Sequence, residues 1–172
     1  VEKWQNTRPI AIVPFIVVTA LAGLSVYQAF SGFWSDLSDK SEEIAKFNES
    51  VLPVYFVGRI AKLVNGQEHH LNKVAASIIE LQPAAVVLHS HTSKVAPGLN
   101  SLATQTRGEH LGGYLLDLMK CRIDGEIVII AYGAAKVDDL SDGYEQRVEI
   151  ELTDDLGGIA GTRVARNPRA CP

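Results

Sequence analysis

The chain has 172 residues, 47% of them hydrophobic and 21% charged, with a formal net charge of -4. That is enough for one domain with its own core, and too apolar for a disordered chain. The acidic balance argues against a protein that coats nucleic acid or an anionic membrane surface, and two cysteines are too few for a disulfide scaffold.

From Ile10 to Phe30 the sequence reads IAIVPFIVVTALAGLSVYQAF, with no charged residue. As a helix this stretch would be roughly 31 Å long, matching the hydrocarbon thickness of a bilayer. Trp4 on one side and Tyr27, Phe33 and Trp34 on the other are placed like an interfacial aromatic belt. Pro14 lies in the first turns, where few backbone bonds are lost. A cleaved signal peptide would have a small-residue exit, whereas Gly32-Phe33-Trp34 is bulky. A buried core helix is the other alternative, disfavoured by the length of the uncharged run. The expectation is therefore a single-pass membrane protein with a signal anchor. It comprises a cytoplasmic tail (1–9), a transmembrane helix (10–30), a helical stalk (31–64) and an extracytoplasmic domain (65–172).

Lys3 and Arg8 precede the apolar run, and Asp36, Asp39, Glu42 and Glu43 follow it with only Lys40 among them. The positive-inside rule then places the N-terminus in the cytoplasm and the C-terminal domain in the periplasm, with the protein in the inner membrane. Thr19 and Gly23, and Ser25 and Ala29, are small residues four apart, a spacing that lets two helices approach and suggests a homo-oligomer. Cys121 and Cys171 are candidates for a disulfide in an oxidising compartment. Spacing alone leaves two free thiols equally open.

Ser35 to Phe47 is polar and helix-prone, with Ser38 or Ser41 as caps, and Pro53 interrupts it. Val54 to Val64 reads as an amphipathic helix, with Arg59 and Lys62 on its polar side, and Asn65-Gly66 as a stop or turn. Leu71, Val74, Ala75, Ile78, Ile79 and Leu81 form a helical stripe that ends before Pro83. Ala84 to His89 is a buried strand. Pro97-Gly98 is a turn, Leu102 to Leu111 fits either type, and Leu115 to Met119 is helical. Asp124-Gly125 is a hairpin-type turn before the strand Glu126 to Tyr132. Asp138 to Gly143 is a polar loop, and Tyr144 to Thr153 alternates as a half-exposed strand. Gly158 to Val164 is a last strand. This order predicts an α+β fold: after the transmembrane helix and stalk, a small antiparallel-sheet domain with helices on one face.

No phosphate-binding glycine loop, dinucleotide fingerprint or nucleophile elbow occurs. His89-Ser90-His91 puts two imidazoles on one strand face, where both could reach one metal ion, with Glu109 and His110 to complete a site. A metal-dependent isopeptidase also uses two histidines two apart, followed by a serine and an aspartate; here Ser101 is the nearest match but at the wrong spacing, and Thr104 stands near where the acidic ligand should be, so that family is rejected for want of a third ligand. Packing of one histidine and loop capping by the other explain the pair more simply. His69-His70 lies in a helix, where neighbours point apart. Asp138, Asp139 and Asp142 read as solvated turn residues rather than a calcium loop. The residues therefore predict no enzyme, no cofactor and no metal.

The segment Asn72 to Gly133 (LNKVAASIIEL, AAVVLHSHTS, GLNSLATQTRGEHLGG, then EIVIIAY) resembles a small PAS- or GAF-like sensor domain. With one N-terminal span, an acidic exit and the closing VEIELTDDLGGIAGTRV, the chain is similar in layout to the holins of T-even phages. The resemblance implies a lysis protein that oligomerises in the lipid bilayer and permeabilises the inner membrane. Its outer domain would bind a regulatory protein, and it would have no catalytic centre. Two other readings stand beside it. One is a structural or assembly subunit of a bacterial secretion or conjugation complex, whose partners are itself or other envelope proteins and not nucleic acid. The other is an extracytoplasmic ligand-binding sensor domain.

Overall fold

A computed structural model describes residues 37–57, 61–92, 99–120, 122–133 and 146–164. The chain divides into two compact units, Val1–Lys40 and Ser41–Pro172. The described part of the first, residues 37–40, is helical.

The second unit is α+β. Its described elements are a helix over residues 41–50 (α1), strand β1 (Val54–Tyr55), helix α2 (Gln67–Leu81), strand β2 (Ala85–His91), helix α3 (Leu99–Met119), and strands β3 (Glu126–Gly133), β4 (Arg147–Thr153) and β5 (Thr162–Arg163). The five strands form one sheet in the order β1-β4-β2-β3-β5. β2 and β3 run parallel, and every other pairing is antiparallel. The expected antiparallel sheet is thus corrected to a mixed one, with a parallel pair at its centre. The reason is α3: it is long enough to carry the chain back across the sheet, so β3 enters beside β2 in the same direction. Asp124-Gly125 accordingly ends a crossover and does not turn a hairpin.

The helical stripe over residues 71–81 is borne out as α2, which buries Leu71, Val74, Ala75 and Ile78. Gly66, with φ 87°, is its N-cap, and Gln82, with φ 45°, closes it by donating its backbone N–H to the carbonyl of Ile78. α3 is longer than the sequence suggested. Gly108 and Gly112 lie on its sheet-facing side, where a Cβ at Gly108 would collide with the Ile129 side chain and one at Gly112 with Val164. The glycines that weaken the helical signal are the residues that let this helix lie close on the sheet.

The expected helix over 54–64 is also corrected. Val54–Tyr55 pairs with β4, Phe56 bridges antiparallel to Leu63, and the Val64 N–H returns to the Tyr55 carbonyl. Val54 and Phe56 alternate inward to the core, a period of two that the Arg59 and Lys62 pattern masks.

One sheet face packs against the helices. Val86 and Leu88 of β2, Ile127 and Ile129 of β3, and Val148, Ile150 and Leu152 of β4 meet Ile44, Leu71, Ile78, Leu111, Leu115 and Met119. The expectation of helices on one face holds. The other face carries a smaller apolar cluster, Ala85, Val87 and Val128 with Ile130 and Ile159, and beyond it a polar group described below.

Among the described residues, no helix is long and apolar enough to cross a membrane. The membrane, single-pass and signal-anchor expectation is corrected on that finding. The described helices are charged: α2 carries Glu68, Lys73 and Glu80, and α3 carries Arg107, Glu109 and Asp117. The run Ile10–Phe30, with Thr19, Gly23, Ser25 and Ala29, lies outside the described residues, as do Cys121, Cys171 and the loop 138–143.

Candidate functional site

Alternation along β2, β3 and β4 sends Ala85, Val87 and His89, then Val128, Ile130 and Tyr132, then Arg147, Glu149 and Glu151 to the face away from the helices. The β2 register shifts between Ser90 and His91, and His91 joins this face while Ser90 turns inward to donate its hydroxyl to the Thr104 carbonyl at 2.8 Å. The shift sets both imidazoles on either side of one phenol. The rings of His89 and Tyr132 stack with centroids 5.7 Å apart and planes 9° apart. Those of His91 and Tyr132 lie 5.2 Å and 19° apart.

Each histidine is matched to a carboxylate on β4. His89 Nε2 lies 2.7 Å from Glu151 Oε2, and its Nδ1 lies 3.0 Å from the Tyr132 hydroxyl. A carboxylate only accepts, so Nε2 is the protonated nitrogen and donates; with the ring neutral, the Tyr132 hydroxyl donates to Nδ1. His91 Nε2 is 3.4 Å from Glu149 Oε2, and Arg147 Nε donates to Glu149 Oε1 at 2.7 Å. At that separation the His91–Glu149 contact is a charge contact and not a formed hydrogen bond, and neither ring nitrogen of His91 has a hydrogen-bond partner.

The two groups titrate differently from their free forms. Burial holds the His91 pKa below its ordinary value, with the Arg147 and His89 charges acting the same way and Glu149 opposing them. For Glu149, burial pushes the pKa up, but the hydrogen bond from Arg147 and the nearby positive charges outweigh it, and the carboxyl is held low. An unfolded histidine takes its proton near pH 6.5, while folded His91 resists until lower pH. Stability is therefore complete above pH 6.5 and falls as pH drops from there towards the folded value. A second loss follows below pH 4.5, as Glu149 is neutralised. His91→Gln should remove the first loss and keep the second, read as urea midpoints from pH 8 to pH 4. Equal slopes for both proteins between pH 7.5 and pH 5.5 would show that His91 is not the responsible group.

These side chains line an open cavity of about 490 Å³, together with Ile150 and a wall from α1 and the segment after it: Asn48, Val51 and Pro53. The wall is fixed by Asn48. Its amide donates to the Leu152 carbonyl at 2.9 Å and accepts from the Leu152 N–H at 2.8 Å, imitating a neighbouring strand where β1 has ended.

His89 and His91 do share one face, as their spacing required. His110 and Glu109 sit exposed on α3, which packs on the opposite face, so they are not brought to the pair. Among the described residues, no group of three or more histidine, cysteine or acidic side chains could hold a metal ion. Tyr132, Glu149, Glu151, Arg147 and Asn48 were not singled out as site residues in the sequence. The alternation of RVEIELT marks the β4 carboxylates as outward-facing, but only the pairing of β4 with β2 brings them to the histidines.

No family model matches the chain. Over 93 residues it is 27% identical to a hydroxamate-type ferrichrome siderophore peptide synthetase of Schizosaccharomyces pombe. The match covers 53% of this chain and 2% of that protein's length, and the synthetase's activity is a property of that protein. Together these findings leave the chain described by its fold and site: an α+β unit with a polar, imidazole- and carboxylate-lined cavity bounded by β2, β3, β4 and the end of α1.

Proposed function

We propose that the Ser41–Pro172 unit is a non-catalytic ligand-binding module that takes a small molecule in the cavity beside β4. The cavity carries the reading. Its volume of about 490 Å³ falls in the range of small-molecule sites, and it combines apolar wall residues, Val51, Pro53 and Ile150, with a few convergent polar groups. Those groups are held in place by their own network, His89 between Tyr132 and Glu151, and Glu149 against Arg147, which is how a pre-organised site is built. No serine, threonine or cysteine is among the described residues that line the cavity. Among the described residues of the network the hydroxyl bound to an imidazole is that of Tyr132, and its ring is stacked between those of His89 and His91. This agrees with the ligand-binding sensor reading of the sequence, without its membrane placement.

A fragment library screened by nitrogen-15 NMR against the 172-residue chain tests the module. Hits should shift the amides of residues 48–53, 89–91, 132 and 149–151 together. Hits that consistently shift other surfaces, or a folded chain that yields none, would overturn the reading.

A further inference from the structure

We infer that the ligand of this cavity is a small organic cation, a primary ammonium or guanidinium compound; the inference rests on the binding-module reading above. The argument is a balance of donors and acceptors. Nine described residues line the cavity, and none is a lysine or an arginine. The Asn48 amide is engaged at both ends by the backbone of Leu152. The Tyr132 hydroxyl and Nδ1 of His89 bond each other. Among the described lining residues, what remains towards the cavity are acceptors. Glu151 gives Oε2 to His89 and keeps Oε1, while Glu149 gives Oε1 to Arg147 and turns Oε2 towards His91 Nε2 at 3.4 Å, too long for a formed hydrogen bond. Both side chains keep about half their surface open to solvent, 51% for Glu151 and 42% for Glu149.

His91 supplies the independent observation. Its side chain is 5% exposed, it lines the cavity, and neither ring nitrogen has a hydrogen bond inside the protein. A buried polar group without a partner costs about 1–3 kcal/mol, so a site that leaves one is short of a binding group. A neutral imidazole has one accepting nitrogen, and a ligand N–H satisfies it. An anion would meet two carboxylates at this wall and is excluded by their repulsion. A neutral molecule would leave the Glu151 carboxylate with only the hydrogen bond from His89. An ammonium or guanidinium group, with three to five donors, matches Glu151 Oε1, Glu149 Oε2 and the accepting nitrogen of His91 at once. Its carbon chain then lies against Val51 and Pro53.

The test is a titration of the 172-residue chain, by calorimetry and nitrogen-15 NMR, with agmatine and n-butylammonium as cations. Butyrate and n-butanol serve as the anionic and neutral probes of the same length. Both cations should bind with shifts at residues 89–91 and 149–151, and butyrate should not bind. Glu149→Gln and Glu151→Gln, each checked for folding by near-ultraviolet circular dichroism, should each weaken agmatine binding about tenfold, the loss of one charge-assisted hydrogen bond. If n-butanol or butyrate shifts the cavity residues as strongly as the cations do, the cavity binds ligands but the cation inference is overturned. If no probe of any charge shifts them while the chain is folded, the inference and the binding-module reading fail together. If cations bind the glutamine variants as well as the original chain, the carboxylates are not the recognising groups and the inference is again overturned.

Discussion

Gly125→Ala should lower the stability of the fold by about 3 kcal/mol, at the upper end of what overpacking costs. A Cβ at Gly125 would collide with the carbonyl oxygen of Pro83 and come within 2.9 Å of that of Ala84. These are backbone atoms at the entry to β2, which cannot swing aside as a side chain can. Glu126 donates its N–H to the Ala84 carbonyl at 3.0 Å here, and this bond starts the β2–β3 ladder. Pushing the two strands apart at this end moves Glu126 against Ala85, then every pair up to Ser90 and Ala131. The effect should therefore reach the cavity, because the same ladder sets Tyr132 between His89 and His91. Urea denaturation gives the stability, and the ring proton shifts of His89 and His91 give the stacking. Gly113→Ala is the control: a Cβ there meets nothing within 4 Å, so the substitution should be neutral or slightly stabilising in the helix. A stable Gly125→Ala protein with unchanged histidine shifts would mean that this close approach does not set the register.

The parts of the fold that were legible in the sequence share one property: a strong period with nothing to interrupt it. The stripe from Leu71 to Leu81 gave α2, EIVIIAY gave β3, and the alternation of RVEIELT gave β4, whose inward residues Val148, Ile150 and Leu152 are all buried. The parts that were not legible depend on contacts distant in sequence. Gly108 reads as a helix breaker until Ile129 is known to lie against it. Val54 to Val64 reads as a helix because Lys62 falls on a polar side, while its backbone is committed to β4 and to its own return at Leu63. The direction of β3 relative to β2 is a matter of how α3 crosses, which no local pattern contains. The site follows the same division. The two histidines were visible as a pair on one face. Their partners were not, because the ladder sets His89 opposite Glu149, yet it bonds to Glu151 one step diagonally along β4. Packing of one imidazole and capping by the other is the sequence reading of the pair; what the register delivers is a carboxylate for each of them and a phenol between.

Asn48→Ala should lower stability by about 2 kcal/mol and loosen the cavity wall at the same time. Two hydrogen bonds are lost, and the N–H and carbonyl of Leu152 lose their Asn48 partner on the outer edge of β4, where β1 pairs with Val148 and Arg147. The Leu152 side chain is 1% exposed, so water reaches this edge poorly, and an unsatisfied backbone group there costs about 1–3 kcal/mol. Asn48 sits at the end of α1, and Val51 follows with its N–H bonded to the Phe47 carbonyl, so the Asn48 amide anchors the turn that presents Val51 and Pro53 to the cavity. Hydrogen exchange should quicken at Leu152 and across residues 48–53 while the β2–β3 ladder keeps its protection, because that ladder does not depend on Asn48. Asn48→Asp separates the two roles of the amide. Its carboxylate still accepts from the Leu152 N–H but cannot donate to the Leu152 carbonyl, so it should fall between the original chain and the alanine variant at neutral pH. Were Asn48→Ala to leave both the urea midpoint and the exchange at Leu152 unchanged, the edge of β4 would be held by β1 alone, and the wall of the cavity would need another support.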